Sequence, residues 1–427
     1  MTTTAAAPLA SAKQPRGLGS RFYGLFTATG ISSTGDGLVA VALPLLALTL
    51  TRNPLAIAGV TAVSKGATAL VCLPAGVMAD RVGRRRMMIA CNLLAGAVLL
   101  GLVLAMSVGR ADLAMVYLVA AVLAMSDVTY NLAMQGVFPD VIGSPEHLGV
   151  ANGRLSSMDG AGEQFVGPGV GGVLFAAARR LPFFADGLSF FVSALLVRTS
   201  VPGPVKDSTA QGERRTWYRD FRQGLTVFVR QPALKLLSAN FGVLSFCQSM
   251  FFGLLVVYGR YSLHLSPAGY GLFLASAAVL GVIGAFFGGS LLRRFGPGRI
   301  ILAGAAAAVI SWATLAFTGN AVLAVFVFGL QEIGIAVANV GSVTTRQRLI
   351  PRELYGRVSS VHRVISAGLS PLGAIVGGVV ASVADVRAAM FLAGVIEAVA
   401  LVTMGPRLFR ALKRSSLGHE HRPVLSL

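Results

Sequence analysis

The chain is poor in charge. Only 12% of its 427 residues are Asp, Glu, Lys or Arg, about half of the ~25% that a soluble domain carries. So few charges do not coat a soluble protein of this length, and a water-exposed globule is excluded. Cysteine is scarce as well. Cys72, Cys91 and Cys247 lie in or beside apolar runs, at spacings that suit neither a disulfide framework nor a zinc site. They read as small buried hydrophobes. No G-x-x-x-x-G-K-[ST] run occurs, so no Walker A loop ties the chain to ATP. Gly167, Gly169 and Gly172 match G-x-G-x-x-G, but Pro168 interrupts and a polar-striped helix, not a strand, precedes. Close helix packing and a kink account for them better than a dinucleotide does. His419 and His421 form no ligand pattern. The expectation is no metal, no organic cofactor and no enzyme.

Apolar sequence is what the chain has in excess: 55% of residues are hydrophobic and the mean hydropathy is +0.73. Runs near or above 20 residues recur throughout, each long enough to cross a bilayer. Twelve spans are predicted, at 24–48, 55–78, 87–108, 113–137, 152–178, 182–198, 236–258, 269–292, 299–318, 321–345, 358–383 and 387–406. They divide the chain into a tail (1–21), a six-helix half (22–198), a linker (199–235), a second six-helix half (236–406) and a tail (407–427). The first run is too long for a signal-peptide core and lacks an A-x-A exit, so no cleavage is expected.

The net charge of +19 raises the question of nucleic acid, and position answers it. With the N-terminus inside, 29 Lys and Arg fall on the inner side. Six fall outside (Arg52, Arg110, Arg179, Arg180, Arg260 and Arg387), and Lys65 lies within a span. This is the positive-inside pattern, with both termini cytoplasmic. The lipid bilayer accounts for the basic balance, and no nucleic-acid partner is expected. A monomer in the cytoplasmic membrane of a bacterium is the expected setting. Arginine outnumbers lysine 31 to 5, which fits a GC-rich genome.

Inside the linker, Trp217, Phe221, Leu225 and Phe228 recur at helical spacing, while Arg219, Arg222 and Arg230 lie off that line. The segment reads as an amphipathic helix. It lies on the inner membrane surface or packs on the bundle.

The halves echo one another. GVMADRVGRRRM (76–87) returns as GSLLRRFGPGRI (289–300), 213 residues on. GRLSS (153–157) returns as GRVSS (356–360). Each is followed by a proline, Pro168 or Pro371, and then by a glycine pair, Gly171–Gly172 or Gly377–Gly378. Gln135 and Pro139 match Gln347 and Pro351. The predicted fold is therefore an all-α membrane protein whose 12 transmembrane helices form two pseudo-symmetric six-helix halves. Two such halves rocking about a midplane site is a transporter design.

These residues resemble a known family. GVMADRVGRRRM resembles the signature between the second and third helices of the major facilitator superfamily, with Gly76, Asp80, Arg81, Gly83, Arg84 and Arg85 in place. Gly167, Pro168, Gly171 and Gly172 resemble the fifth-helix signature of its antiporters, although Glu163 stands where an earlier glycine is expected. Gly35–Asp36, VALPLLAL (41–48), DGLSFF (186–191) and residues 356–378 are similar to its transmembrane secretion effector branch, which includes macrolide and siderophore exporters. The resemblance implies a cytoplasmic latch. In it Asp80 caps the start of the eleventh helix, where a carboxylate suits the positive end, and Arg84 pairs with Asp140. The second copy has Arg293 at the position of Asp80, so that latch is asymmetric.

Charges within spans are costly, at least ~2.5–3.5 kcal/mol at the bilayer centre. Asp36 lies fifteen residues after Arg21, and Lys65 fifteen before Asp80. Each is thus about 22 Å along its helix from the inner end, and an Asp36–Lys65 ion pair is expected. It serves either helix packing or a proton or cation site. Asn152, Ser156, Asp159 and Glu163 share one face of the fifth helix. The matched face of the eleventh carries Tyr355, Ser359, His362 and Ser366. Asp36, Lys65, Asp159, Glu163 and Glu332 are the proton-coupling candidates, with H+ as the expected coupling ion. Asp127, Tyr130, Asn131, Asn240, Gln248, Phe251, Phe252, Tyr258, Gln331 and Asn339 are candidates to line an amphipathic substrate cavity. Alternatively, the polar ones serve interhelical hydrogen bonds. Glu397 fits neither set.

The resulting expectation is a secondary transporter, exchanging protons for a small amphipathic antibiotic or other secondary metabolite on its way out. Siderophore or metabolite export and proton–solute symport are the alternatives within the fold. A membrane enzyme or receptor would need a catalytic set or signalling domain, and neither is visible.

Overall fold

In the computed structural model, residues 18–72, 82–142, 145–202, 217–350 and 354–418 are described. Gly76, Asp80 and Arg81 lie outside them. The described residues are almost entirely helical, with no strand among them. The first half comprises α1 (Gly19–Leu50), α2 (Pro54–Val71), α3 (Arg84–Ser107), α4 (Leu113–Ile142), α5 (148–177) and α6 (Leu181–Ser200). After a linker helix, Trp217–Arg230, come α7 (Pro232–Tyr261), α8 (267–295), α9 (297–317), α10 (Ala321–Leu349), α11 (Tyr355–Val383) and α12 (Val386–Gly418). Ten helical stretches are long and apolar enough to cross a membrane. One of them, Pro267–Phe317, is two spans joined at Gly296. The broken α5 completes the twelve.

The helices overrun the apolar runs that announced them. Predicted spans stop where water begins, but helical hydrogen bonding continues into the polar flanks. Hence α1 starts at Gly19 and α12 continues to Gly418. Three starts on the side away from the termini are set by caps: Asn53 before Pro54, Ser266 before Pro267, and Asn320 before Ala321 each accept from backbone N–H groups of the first turn. These satisfy donors that the helix leaves orphaned. The linker helix packs on the bundle: Phe228 is buried with Leu234, Leu237, Leu349, Val358 and Leu408.

Internal repetition appears as matched backbone geometry. Gly83 and Gly296, 213 residues apart, hold φ of +92° and +77°. They occupy the same place in the α2–α3 and α8–α9 connections, and L side chains rarely adopt this conformation. The glycine pairs repeat too. A methyl group on Gly171 would meet the backbone of Leu38 on α1 at 2.8 Å, and one on Gly172 would meet Pro267 O on α8 at 2.5 Å. In the second half, Gly377 abuts the backbone of Met250 on α7, and Gly378 abuts Leu55 on α2. In each pair, the first glycine packs within its own half and the second packs across to the other.

These cross-half contacts gather on the face away from the termini. There α5 meets α8, α11 meets α2, and α7 meets α2. Ser382 Oγ donates to Asn53 Oδ1 at 3.3 Å and accepts from Leu55 N at 3.2 Å. Nearer the termini the halves part: the first segment of α5, Leu148–Gly160, packs on α1 and α4 of its own half. Among the described residues, the structure is thus sealed on the far face and open on the termini face.

Candidate functional site

Helix α5 is interrupted where the chemistry is densest. Leu148–Gly160 and Gly167–Ala177 are α-helical, and Ala161–Val166 between them forms a π turn holding Glu163. Such bulges recur at functional sites. The turn is pressed against α1. A methyl on Gly37 would lie 2.6 Å from Glu163 O, and one on Gly162 would lie 2.5 Å from Ser33 Oγ. Only small residues allow α1 and α5 to cross this closely.

Between α1, α3, α4, α5 and α6 lies a cavity of about 530 Å³. Four carboxylates face it: Asp36 from α1, Asp127 from α4, and Asp159 and Glu163 from α5. Tyr130, Asn131, Asn152 and Ser156 complete much of the polar wall, with Phe138, Leu155 and Phe190 among the apolar surfaces. The Asn131 amide donates to Asp127 Oδ1 at 2.6 Å. Among the described residues, no Lys or Arg lines this cavity. Asp159, Glu163 and Asp127 are exposed, whereas Asp36 is half-buried. A second cavity, about 460 Å³, lies on the far side and is bordered by Arg179 and Arg260.

The expected Asp36–Lys65 pair does not form. Lys65 is exposed on α2 and acts electrostatically on Asp127 and Glu163, while Asp36 feels Asp186, Asp127, Glu163 and Asp159. Equal depth along neighbouring helices left azimuth undetermined. The strongest charged neighbour of Asp36 is Asp186, a residue the sequence reading assigned no role. Asp186 is fully buried on α6, and Ser189 Oγ donates to its Oδ1 at 2.8 Å.

Several cavity candidates in the second half lie elsewhere. Phe251 is buried in an aromatic cluster with Phe252, Phe273 and Phe328. The Tyr258 hydroxyl donates to Thr318 O at 3.2 Å from a fully buried ring. Asn240 and Gln331 are buried within the half, Gln248 is half-buried, and Asn339 is exposed on α10. Glu332 packs against Gly281 of α8. None of these borders the acidic cavity, because the halves are parted on the termini side. His362 does not face the α5 acids. Its Nδ1 meets Ser238 Oγ of α7 at 2.6 Å, and the ring packs edge-on to Phe241.

Of the hinge, Gly83, Arg84 and Arg85 are described. Arg84 Nη1 donates to Gly136 O on α4 at 2.6 Å, one turn before the exposed Asp140. Gly136 leaves room for that guanidinium: a methyl there would lie 2.5 Å from Arg84 Cζ. Arg85 donates to Arg198 O in the last turn of α6, where a cation suits the negative helix end. The fifth-helix motif is structural in this state: Gly167 and Gly171 seat on α1, and Gly172 seats on α8.

A bundle of twelve membrane-length helices in two matched halves, closed on one face and with a polar cavity reaching from the other, is the architecture of a membrane transporter. The Major Facilitator Superfamily model matches residues 25–372, and the chain belongs to that superfamily as a multi-pass membrane transporter. It is 29% identical over 199 residues to the uncharacterized MFS-type transporter y4rN of Sinorhizobium fredii (strain NBRC 101917 / NGR234). That match takes in 44% of this chain and about half, 47%, of the relative. Its fold is similar to that of the nucleoside transporter NupG, with a TM-score of 0.72 at 13% identity over 92% of this chain and 100% of that one. It is also similar to a bacterial homologue of the lysosomal transporter Spinster in an inward-facing, unoccupied conformation (TM-score 0.72, 15% identity, 92% and 97% covered). A bacterial homologue of the iron transporter ferroportin in an inward-facing state matches at TM-score 0.69 and 20% identity (91% and 98% covered). At these identities the likeness concerns the fold.

Proposed function

We propose that this transporter exports a small amphipathic compound, such as an antibiotic or other secondary metabolite, in exchange for protons across a bacterial cytoplasmic membrane. The observation that carries the reading is the cavity: four carboxylates from three helices face one space, with Lys65 acting electrostatically on two of them, Asp127 and Glu163. Intramembrane acids of this kind mark proton relays and substrate pathways. An acidic wall also favours a neutral or cationic amphiphile over a carboxylate-bearing siderophore. The excess of Lys and Arg on the termini side supports cytoplasmic termini, and with that orientation the structure is inward-open. A compound entering from the cytoplasm meets Asp127, Asp159 and Glu163 before the seal. Protonation of these groups and substrate binding then compete for one space, which is the basis of exchange.

The test is reconstitution in proteoliposomes with an imposed pH gradient, after a compound panel in an efflux-deficient host has supplied a substrate. Gradient-driven flux is expected, reduced about tenfold or more in Asp36→Asn and in Glu163→Gln, within the range of ordinary coupling energies. Flux indifferent to the gradient would overturn the coupling. Full activity in both variants would overturn the site.

A further inference from the structure

Asp186 lies on α6 behind α1, outside the cavity lining, and the structure accommodates it with care. A methyl on Gly35 would lie 1.9 Å from Asp186 Oδ1 and 2.7 Å from Ser189 Oγ, so only glycine fits at the point where α1 crosses this carboxyl. The Ser189 hydroxyl donates to Oδ1 at 2.8 Å. Oδ2 is fully buried and receives no donor. The residue after Gly35 is Asp36, and Asp186 acts on it more strongly than any other charged group does. Among the described residues, no Lys or Arg figures in the charges acting on either of these two carboxyls.

Two carboxyls so placed, Asp186 sealed in the protein and Asp36 half-buried at the cavity wall, do not both ionise. A buried carboxylate oxygen without a donor carries the full desolvation penalty, and a shared proton removes it. We infer that Asp36 and Asp186 form a proton-holding dyad: one proton is kept between them, taken up and released through Asp36, which alone faces the cavity, while Asp186 is the positioning partner. The step balances simply. A proton from water in the cavity bonds to a carboxylate oxygen of the dyad, and the same O–H bond breaks on release. The titratable groups facing the dyad are Asp127 and Tyr130 from α4 and Asp159 and Glu163 from α5; Lys65 on α2 acts on Asp127 and Glu163. Proton occupancy at the dyad therefore responds to the charge of the whole cavity. The inference rests on the proton-coupled reading but adds an element to it, a buried partner behind α1 for the cavity-wall residue Asp36.

The experiment is an infrared pH titration of the full chain in lipid nanodiscs, following the C=O stretch of protonated carboxyls. Wild-type protein is expected to show a band from the dyad. In Asp186→Asn that band is lost, or its titration moves by about 1 pH unit or more, because the like-charged partner is gone. In Asp36→Asn a protonated-carboxyl band remains but exchanges with deuterium more slowly, Asp186 being sealed from the cavity. Ser189→Ala keeps both carboxyls and shifts the titration, and it decides the matter if Asp186→Asn does not yield monodisperse protein. A band with unchanged size and titration in Asp186→Asn, or an unmoved titration in Ser189→Ala, overturns the dyad. Wild-type protein that carries the band yet shows no gradient-driven flux keeps the dyad and overturns the exporter reading instead.

Discussion

Glu397 and Asp186 are both fully buried carboxyls, yet their surroundings differ. Glu397, on α12, packs near Cys247 of α7, and neither of its oxygens has a partner. No cavity reaches it among those found. A buried polar group without partners costs stability, and replacing such groups by apolar ones of similar shape is often neutral or stabilising. Glu397→Met is therefore expected to raise the melting temperature, corresponding to about 1–3 kcal/mol, with transport intact; a thermal-shift assay in detergent checks it, and a lower melting temperature would mean that the carboxyl is used. The intramembrane acids Asp36, Asp127, Asp159 and Glu163 were legible from sequence because each interrupts an apolar run. Asp186 was not. It sits five residues into α6, near a span end, where a carboxylate ordinarily reaches water. Its burial is imposed by Gly35 on a helix 151 positions earlier in the chain.

At the scale of elements, apolar runs marked all twelve spans but not the helix ends, since hydropathy reports the bilayer and hydrogen bonding sets the helix. The break in α5 was foreshadowed by its glycines and proline. The π turn itself was not, because it arises from packing of Gly162 and Gly167 on α1. Gly83 has a purely local reason. At φ +92° and ψ 123° it precedes α3 and turns the chain so that Arg84 and Arg85 reach α4 and α6. Gly83→Ala is expected to cost about 1–3 kcal/mol through backbone strain. The readout is a lower melting temperature and weaker expression, with the substrate affinity of the surviving protein unchanged. Gly296, at the equivalent position, should respond similarly.

For the whole molecule, the far-face seal is the feature that fixes the state. Asn53 and Ser382 join the halves there. A cysteine pair at these positions, in a background where Cys72, Cys91 and Cys247 are replaced, should oxidise readily. It should lock the protein open toward the termini and abolish transport until reductant is added. Flux unaffected by the cross-link would show that the far face does not need to open. The two-half architecture was legible from repeated motifs at offsets near 203 and 213. Which half holds the cavity was not, because that depends on how far the halves have swung apart.

The glycine seams have a consequence for switching. At Gly172 against Gly271 the halves meet backbone to backbone, and at Gly378 they meet the backbone of Leu55 with the small side chain of Ala58 beside it. Interlocked side chains would have to leave their rotamers for such a surface to part, whereas smooth surfaces separate without rearranging. The two seams are also copies related by the internal repeat, so a rigid swing loosens both together and leaves no stable half-unsealed form. A gate built this way is expected to open as a unit and at modest energetic cost.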